Sequence, residues 1–308
     1  EGRGECFWGR QDFAANIKMA ELQESLKLIA NRRLKFRFMM HDAWENALFV
    51  HWPVDPAQLA EQLPRGLEPD VMEGCAWVGL VLLTERGVSS SHPLGRRIVP
   101  PIDHLGANVR TYVRHTGSGI PGLYFLSLEC SSIFASLGAR AAGIPYFPAS
   151  MQRRVDVEPF SKLEPSAVSQ GGKIEDYVFD FSSERSGFFS RPQVSARWRL
   201  GSKDGEASED PDTDFNRRAR WFVERYSVYS SWPLRQGPFL LRGDVQHPSW
   251  PVQPATLEAL DAAQLLAAAG LKHLAATASF GDGGTGVKPH VCFSRGVGPV
   301  EFWMLEPV

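Results

Sequence analysis

The stretch Asn108-Val109-Arg110-Thr111-Tyr112-Val113 alternates polar and apolar residues, the period of a strand with two unlike faces. A turn, Gly117-Ser118-Gly119-Ile120-Pro121-Gly122, separates it from a second strand, Leu123-Tyr124-Phe125-Leu126-Ser127-Leu128-Glu129. Ser131 or Ser132 can cap a short helix rich in Ala and Leu, which Gly143 stops just before Pro145. Residues 108–151 therefore read as strand, turn, strand, helix and an abrupt Gly143-Ile144-Pro145-Tyr146-Phe147-Pro148 exit. The strand period places Arg110 on the face of Asn108 and Tyr112, opposite Val109, Thr111 and Val113. An arginine inside a barrel needs an anion, because a buried unpaired charge is very costly. Either a carboxylate of the chain, such as Glu129 or Glu224, or the carboxylate of a ligand meets that need.

Upstream, Ala47–Val54 is a strand, and Asp55 with Pro56 starts a short helix through Leu63. Leu67–Val71 and Cys75–Leu83 read as two strands around a Glu73-Gly74 hairpin turn. A Pro/Gly/Ser-rich loop, Ser89–His104, leads into the opening stretch. Earlier still, Met19, Leu22, Leu26 and Ile29 recur at helical spacing within Gln11–Leu34. Residues 1–43 are therefore expected to be an N-terminal helical extension that packs on its own chain or on a second subunit, which leaves a homo-oligomer open.

Downstream the pattern stays β: Arg153–Val157, Lys173–Ser182, Gln193–Leu200, Tyr226–Trp232, Phe239–Gln246, Ala275–Phe280, Val291–Phe293 and Val300–Leu305. Pro159–Gly172 reads as an irregular excursion, and the acidic run of Gly201–Asp214 as a solvated loop. Asp214 is the expected cap of a helix holding Arg217, Trp221 and Glu224. Pro254 to about Ala269 is the expected second helix, with Leu257, Leu260 and Leu265 on one side. Many short strands with few helices point to an α+β, mainly β fold: residues 44–308 as a single, closed or nearly closed antiparallel barrel with helices outside it.

The 308 residues carry a formal charge of -2, which gives no electrostatic case for nucleic acid or an anionic membrane surface. No apolar run approaches the roughly 18 residues of a membrane span, and Glu1–Arg10 has no signal-peptide core. Cys6, Cys75, Cys130 and Cys292 show no CxxC pairing, which fits a reducing compartment and a cytoplasmic location.

Gly281-Asp282-Gly283-Gly284-Thr285-Gly286 matches GxGxxG, but Pro289 and the β-type His290–Phe293 follow it where a dinucleotide site needs a helix. It reads as a loop between strands. The histidines have no metal-ligand spacing, so neither a metal nor another cofactor is expected. Arg217-Arg218-Ala219-Arg220-Trp221 sits just behind the acidic run and reads as local neutralisation. Glu224-Arg225-Tyr226-Ser227-Val228-Tyr229 and His247-Pro248-Ser249-Trp250-Pro251 combine aromatic bulk with titratable groups, as pocket walls and packed corners both do.

Several segments, in order, resemble the DUF2071 (YqjF-like) family: Ala47–Val54 (ALFVHWPV), Gly74–Leu80 (GCAWVGL), Asn108–Val113, Gly122–Leu128 (GLYFLSL), Ala139–Met151 (ARAAGIPYFPASM), Glu224–Tyr229 and His247–Pro251. The resemblance implies an acetoacetate decarboxylase-like fold, a β-barrel or cone with a central pocket and flanking helices. In true acetoacetate decarboxylases a Gly-aromatic-Pro-Lys-Lys segment supplies a Schiff-base lysine whose pKa is lowered by burial and by its neighbour. The similar segment here is Gly143-Ile144-Pro145-Tyr146-Phe147, so Tyr146 stands where the lysine would be, and a phenol cannot form an imine. Leu105-Gly106-Ala107 also replaces the acidic residue expected before NVRTYV. What the resemblance leaves is a pocket for a small carbonyl- or carboxylate-bearing compound. Arg110 would anchor its anion, Tyr146 would donate or transfer a proton, and His247 or Glu129 would serve as acid or base. Tyr112, Arg140, Tyr229 and Trp250 would line the pocket. Non-covalent decarboxylation, dehydration or isomerisation is one reading of such a site, and a non-catalytic binding barrel is the other.

Overall fold

A computed structural model describes residues 37–91, 100–141, 144–158, 176–187, 191–200, 213–232, 237–276, 278 and 288–308. The strands are β1 (Arg37–His41), β2 (Ala43–Val54), β3 (Leu67–Pro69), β4 (Ala76–Ser90), β5 (Ile102–His115), β6 (Pro121–Cys130), β7 (Tyr146–Glu158), β8 (Asp176–Arg185), β9 (Gln193–Leu200), β10 (Ser227–Trp232), β11 (Phe239–Gln246), β12 (Val252–Pro254), β13 (Thr256–Asp261), β14 (His290–Val297), β15 (Val300–Trp303) and β16 (Glu306–Pro307). The helices are α1 (Pro56–Ala60), α2 (Ile133–Ala141), α3 (Asp214–Val223), α4 (Ala263–Ala268) and α5 (Lys272–Ala275). All sixteen strands belong to one hydrogen-bonded network. The fold is α+β and mainly β, as the alternating patterns require.

β5 is the spine, paired with β3, β4 and β6. Its period of two sends successive side chains into two different cores. Ala107, Val109 and Val113 join Leu80 and Leu82 of β4 against Phe179, Phe181, Trp198 and α4. Tyr112 joins Phe49, Trp77 and Val81 beneath Ala219, Phe222 and Val223 of α3. Each fully buried Leu or Phe contributes about 1.5–3 kcal/mol, which is why the sheet is covered on both faces.

Several local readings hold to the residue. Asp55 accepts from Ala57 N at 2.9 Å with Pro56 in the first turn of α1. Ser132 Oγ accepts from Ala135 N at the start of α2. Gln193–Leu200 and Phe239–Gln246 are strands with the expected bounds.

Other readings are corrected. The sheet is not wholly antiparallel: β6 runs parallel to β7 and to β10. A parallel neighbour needs a crossover, and α2 supplies it between β6 and β7. Residues 254–269 are not one helix but β12, β13 and the short α4. A register shift between Leu257 and Ala259 puts Leu257 and Leu260 on the same buried side, so a bulged strand imitates helical spacing. Thr213, not Asp214, caps α3: it is extended and accepts from Asn216 N, while Asp214 lies in the first turn, where its charge suits the helix dipole. Glu73 and Gly74 do make the tight turn, with φ of 56° and 78°, but β3 then pairs with β5 rather than β4. Ala275 ends α5 instead of opening a strand. The loop placed at Ser89–His104 is shorter than expected, since β4 runs to Ser90 and β5 begins at Ile102.

Arg37–His41, within the stretch expected to be a helical extension, forms a strand paired with β15 and β4. The helix expected over Gln11–Leu34, the GxGxxG run, the excursion over 159–172 and Gly143 lie outside the described residues, as does the acidic run up to residue 212.

Candidate active site

The face of β5 that carries Arg110 also carries Tyr112, Asn108, Gly106 and His104 at every second position. Beside them on β4 run Gly79, Val81, Leu83 and Glu85, in register with Arg110, Asn108, Gly106 and His104. This makes a polar stripe through an otherwise apolar core. Glu85 Oε1 and Asn108 Oδ1 both approach the bare α-carbon of Gly106, lying 3.1 and 3.7 Å from where a Cβ would stand.

At one end of the stripe, Arg110 Nη2 donates to Phe222 O at 3.2 Å and to the Tyr112 hydroxyl at 3.4 Å. Its guanidinium lies 5.5 Å from the Phe49 ring centre. Among the described residues no carboxylate is within ion-pair distance of it, and its Nε has no partner. Tyr112 OH is 2.8 Å from His51 Nε2, and His51 stacks on Phe222 at 3.8 Å. Burial, then His290 and Arg110, hold His51 well below the usual histidine range, so the ring is neutral. Gly79 makes room for this pair, since a Cβ there would be 2.9 Å from His51 Cδ2.

At the other end, Glu85 is buried between two histidines. Trp44 Nε1 donates to His41 Nδ1 at 2.8 Å, which requires that nitrogen to be unprotonated. The 3.2 Å approach of Glu85 Oε2 to the same atom is therefore not an ion pair, and burial lowers His41 to about 4. His104 is the opposite case. Burial opposes its charge, but Glu85 and then a hydrogen bond with Cys130 outweigh it and raise the ring to about 9. Glu85 thus has one cationic neighbour, His104, at 4.0 Å. Burial, followed by Glu85 and Cys130, pushes the Tyr146 phenol well above its ordinary value. Tyr146 therefore keeps its proton at neutral pH.

The other residues singled out in the sequence distribute unevenly. Glu129 is held by Arg185, whose Nε is 3.1 Å from each carboxylate oxygen, so it does not serve Arg110. Arg140 donates to Tyr146 O at 3.2 Å and lies 5.1 Å from the Phe147 ring, which Arg185 covers at 3.7 Å. His247 has carbonyl oxygens at both ring nitrogens, Pro248 O at 2.8 Å and Arg225 O at 3.3 Å, and stacks on Tyr226. Trp250 stacks on Trp44 and meets Phe49 edge-on, while its backbone N–H donates to Glu224. These two are walls of the same core as Arg110. Tyr229 is elsewhere: its hydroxyl donates to Ile120 O, and its ring belongs to the opposite core.

A shallow crevice, with room for little more than a water molecule, opens where β6 leaves β10 and joins β7. Tyr124, Phe125, Pro145, Tyr229 and Ser231 line it. Phe125 is the register partner of Arg110, so this opening abuts the stripe without entering it.

The sequence reading missed Glu85, His104, His41 and Cys130. The signal for the first two was present: counting back by twos from Arg110 reaches His104, and from Gly79 forward reaches Glu85. Among the described residues no group of three or more His, Cys, Asp or Glu is arranged to hold a metal ion. The only lysines among them, Lys272 and Lys288, are exposed, and no helix there is long and apolar enough to cross a membrane.

The sequence profile of DUF2071, described as "Uncharacterized conserved protein", matches residues 41–298. "Uncharacterized protein YqjF" of Bacillus subtilis (strain 168) is 30% identical over 228 residues, covering 72% of this chain and 78% of that protein. Among solved structures, the enduracididine biosynthesis enzyme MppR, complexed with the condensation product of pyruvate and imidazole 4-carboxaldehyde, superposes with a TM-score of 0.51 at 14% identity. It covers 88% of this chain and 90% of its own. An acetoacetate decarboxylase-like enzyme from Sphingomonas wittichii RW1 gives a TM-score of 0.51 at 11% identity, covering 89% and 94%. At such identities the likeness establishes the fold, which is acetoacetate decarboxylase-like. With the profile spanning β2 to β14 and a relative this similar, the chain belongs to the DUF2071 family.

Proposed function

We propose that this protein binds a small carbonyl- or carboxylate-bearing compound at the polar stripe and acts on it by acid/base chemistry without an imine. The observation that carries this reading is Arg110, a buried guanidinium that no carboxylate neutralises among the described residues. A ligand carboxylate would supply the missing counter-charge. Tyr146, protonated at neutral pH, would donate to a carbonyl or enolate oxygen. Glu85 and His104 would take up and return the proton. His247 and Trp250 become walls, and Glu129 a structural partner of Arg185. The absence of a lysine at Tyr146 supports the reaction types that need no covalent intermediate: decarboxylation, dehydration or isomerisation of an enolisable compound. MppR, of the same fold, is described in complex with pyruvate, which makes small keto acids the first class to try.

The test is a thermal-shift screen against keto acids, hydroxy acids, enols and aromatic carboxylates, followed by turnover assays. A ligand of the native state raises the melting temperature by mass action. Arg110→Ala should weaken the stabilisation and abolish turnover, whereas Tyr146→Phe should keep binding and lose turnover. Binding without turnover would favour the non-catalytic barrel, a reading that the tyrosine at position 146 also supports. Unchanged binding and turnover in both variants would overturn the site.

A further inference from the structure

On the face of the sheet opposite Arg110, β7 turns a second arginine inward. Arg153 Nη1 donates to Thr84 Oγ1 at 2.5 Å, and its guanidinium lies 5.4 Å from the Phe181 ring centre. Thr84 follows Leu80 and Leu82 along the inner face of β4, and Phe181 is in register with Arg153. Arg153 therefore sits at the end of the core between the two halves of the sheet. Its Nε and Nη2 are sealed from solvent and have no hydrogen-bond partner. Those two atoms form one edge of the guanidinium, with parallel N–H groups spaced to match the two oxygens of a carboxylate. Arg225 and Arg110, both buried, do not keep that edge open. Arg225 uses Nε on Trp221 O and Nη1 on Asp70, and Arg110 uses Nη2 on Phe222 O.

Two covered donors left unmet are costly, and a facing phenyl ring offsets only part of that cost. The charges that reach it are those of Arg86 and Glu45, and both are already engaged with each other. Burial and then Arg86 lower its pKa only to about 10, so it is still a cation at neutral pH. Val155, two residues further along the same face of β7, is 46% exposed, so the protein surface lies one side-chain repeat from the covered edge of Arg153.

We propose that Arg153 is a second anion site, whose Nε–Nη2 edge takes the carboxylate of a small organic acid side-on, with Thr84 fixing the guanidinium and Phe181 beneath it. The site is independent of Arg110 and stands whether or not the stripe is catalytic.

The experiment compares dialysed wild-type protein with Arg153→Met, Arg153→Lys and Arg110→Ala by thermal shift and calorimetric titration. The probes are acetate, benzoate, inorganic phosphate and chloride. Acetate or benzoate should stabilise wild type, and Arg110→Ala should retain the share of that response that Arg153 contributes. Arg153→Met should lose that response and melt no lower than wild type without anion, since a methionine needs no counter-charge. Arg153→Lys keeps the charge but not the fork and should weaken carboxylate binding at least about tenfold. Equal responses in wild type and Arg153→Met would overturn the proposal. So would a response to phosphate alone, or an anion-free Arg153→Met protein several degrees less stable, which would make Arg153 structural. Should Arg153→Met fail to fold, unweakened binding by Arg153→Lys overturns it.

Discussion

Arg185 grips Glu129 from the side: Nε is 3.1 Å from both carboxylate oxygens, and Nη2 reaches Oε1 at 2.5 Å and Ser127 Oγ at 2.7 Å. Glu129 is 1% exposed, so the pair is desolvated and Glu129 is fully committed. Removing one partner strands the other. Arg185→Met should cost about 3–5 kcal/mol in urea unfolding, and Arg185→Met with Glu129→Leu should recover most of it. A single-variant loss under about 1 kcal/mol would mean that the pair is solvated.

Gly79 leaves the space that the His51–Tyr112 hydrogen bond occupies. In Gly79→Ala the new methyl would stand 2.9 Å from His51 Cδ2, 3.1 Å from Nε2 and 3.3 Å from the Tyr112 hydroxyl. Overpacking of this kind costs about 1–3 kcal/mol. The variant should melt lower than wild type, and a wild-type melting temperature would show that the pair yields without strain.

Stability should peak near neutrality, with limbs of different origin. His104 holds its proton more tightly folded than unfolded, so its contribution is full below pH 6.5 and is lost as pH rises to about 9. His41 and His290, lowered to about 4, bind protons in the unfolded chain first, so stability falls as pH drops from 6.5 to about 4. His51 and His247 are lowered as well, so the acid limb should be the steeper. Urea midpoints from pH 4 to 10 measure both limbs. His104→Gln should flatten the alkaline one and leave the acid one in place.

Incubation with a small keto acid and cyanoborohydride should leave the intact mass of the wild-type protein unchanged. Among the described residues the lysines are Lys272 and Lys288, both exposed, and position 146 offers a phenol. A stoichiometric adduct would place an activated lysine in the chain and remove the non-covalent reading.

The period of two was enough to find most strands and the face of Arg110, because a half-buried strand writes its orientation into every second residue. It failed at Leu257 and Leu260, where a bulge converted that period to three. It also failed at Tyr146, which Pro145 and Pro148 made look like an exit and which is the first residue of β7. Glu85 and His104 stayed hidden because Pro and Gly near residues 93–101 suggested a loop, while both flanking strands in fact run on towards it. Which carboxylate meets which arginine was not legible at all. Glu129 and Arg185 are 56 residues apart, and only the fold brings them together.

The end of α3 performs two tasks with one residue. The Phe222 ring lies flat on His51, and its carbonyl oxygen accepts from Arg110. Ring and carbonyl belong to one residue, so any displacement of this helix end moves the acceptor of Arg110 and the cover of His51 together.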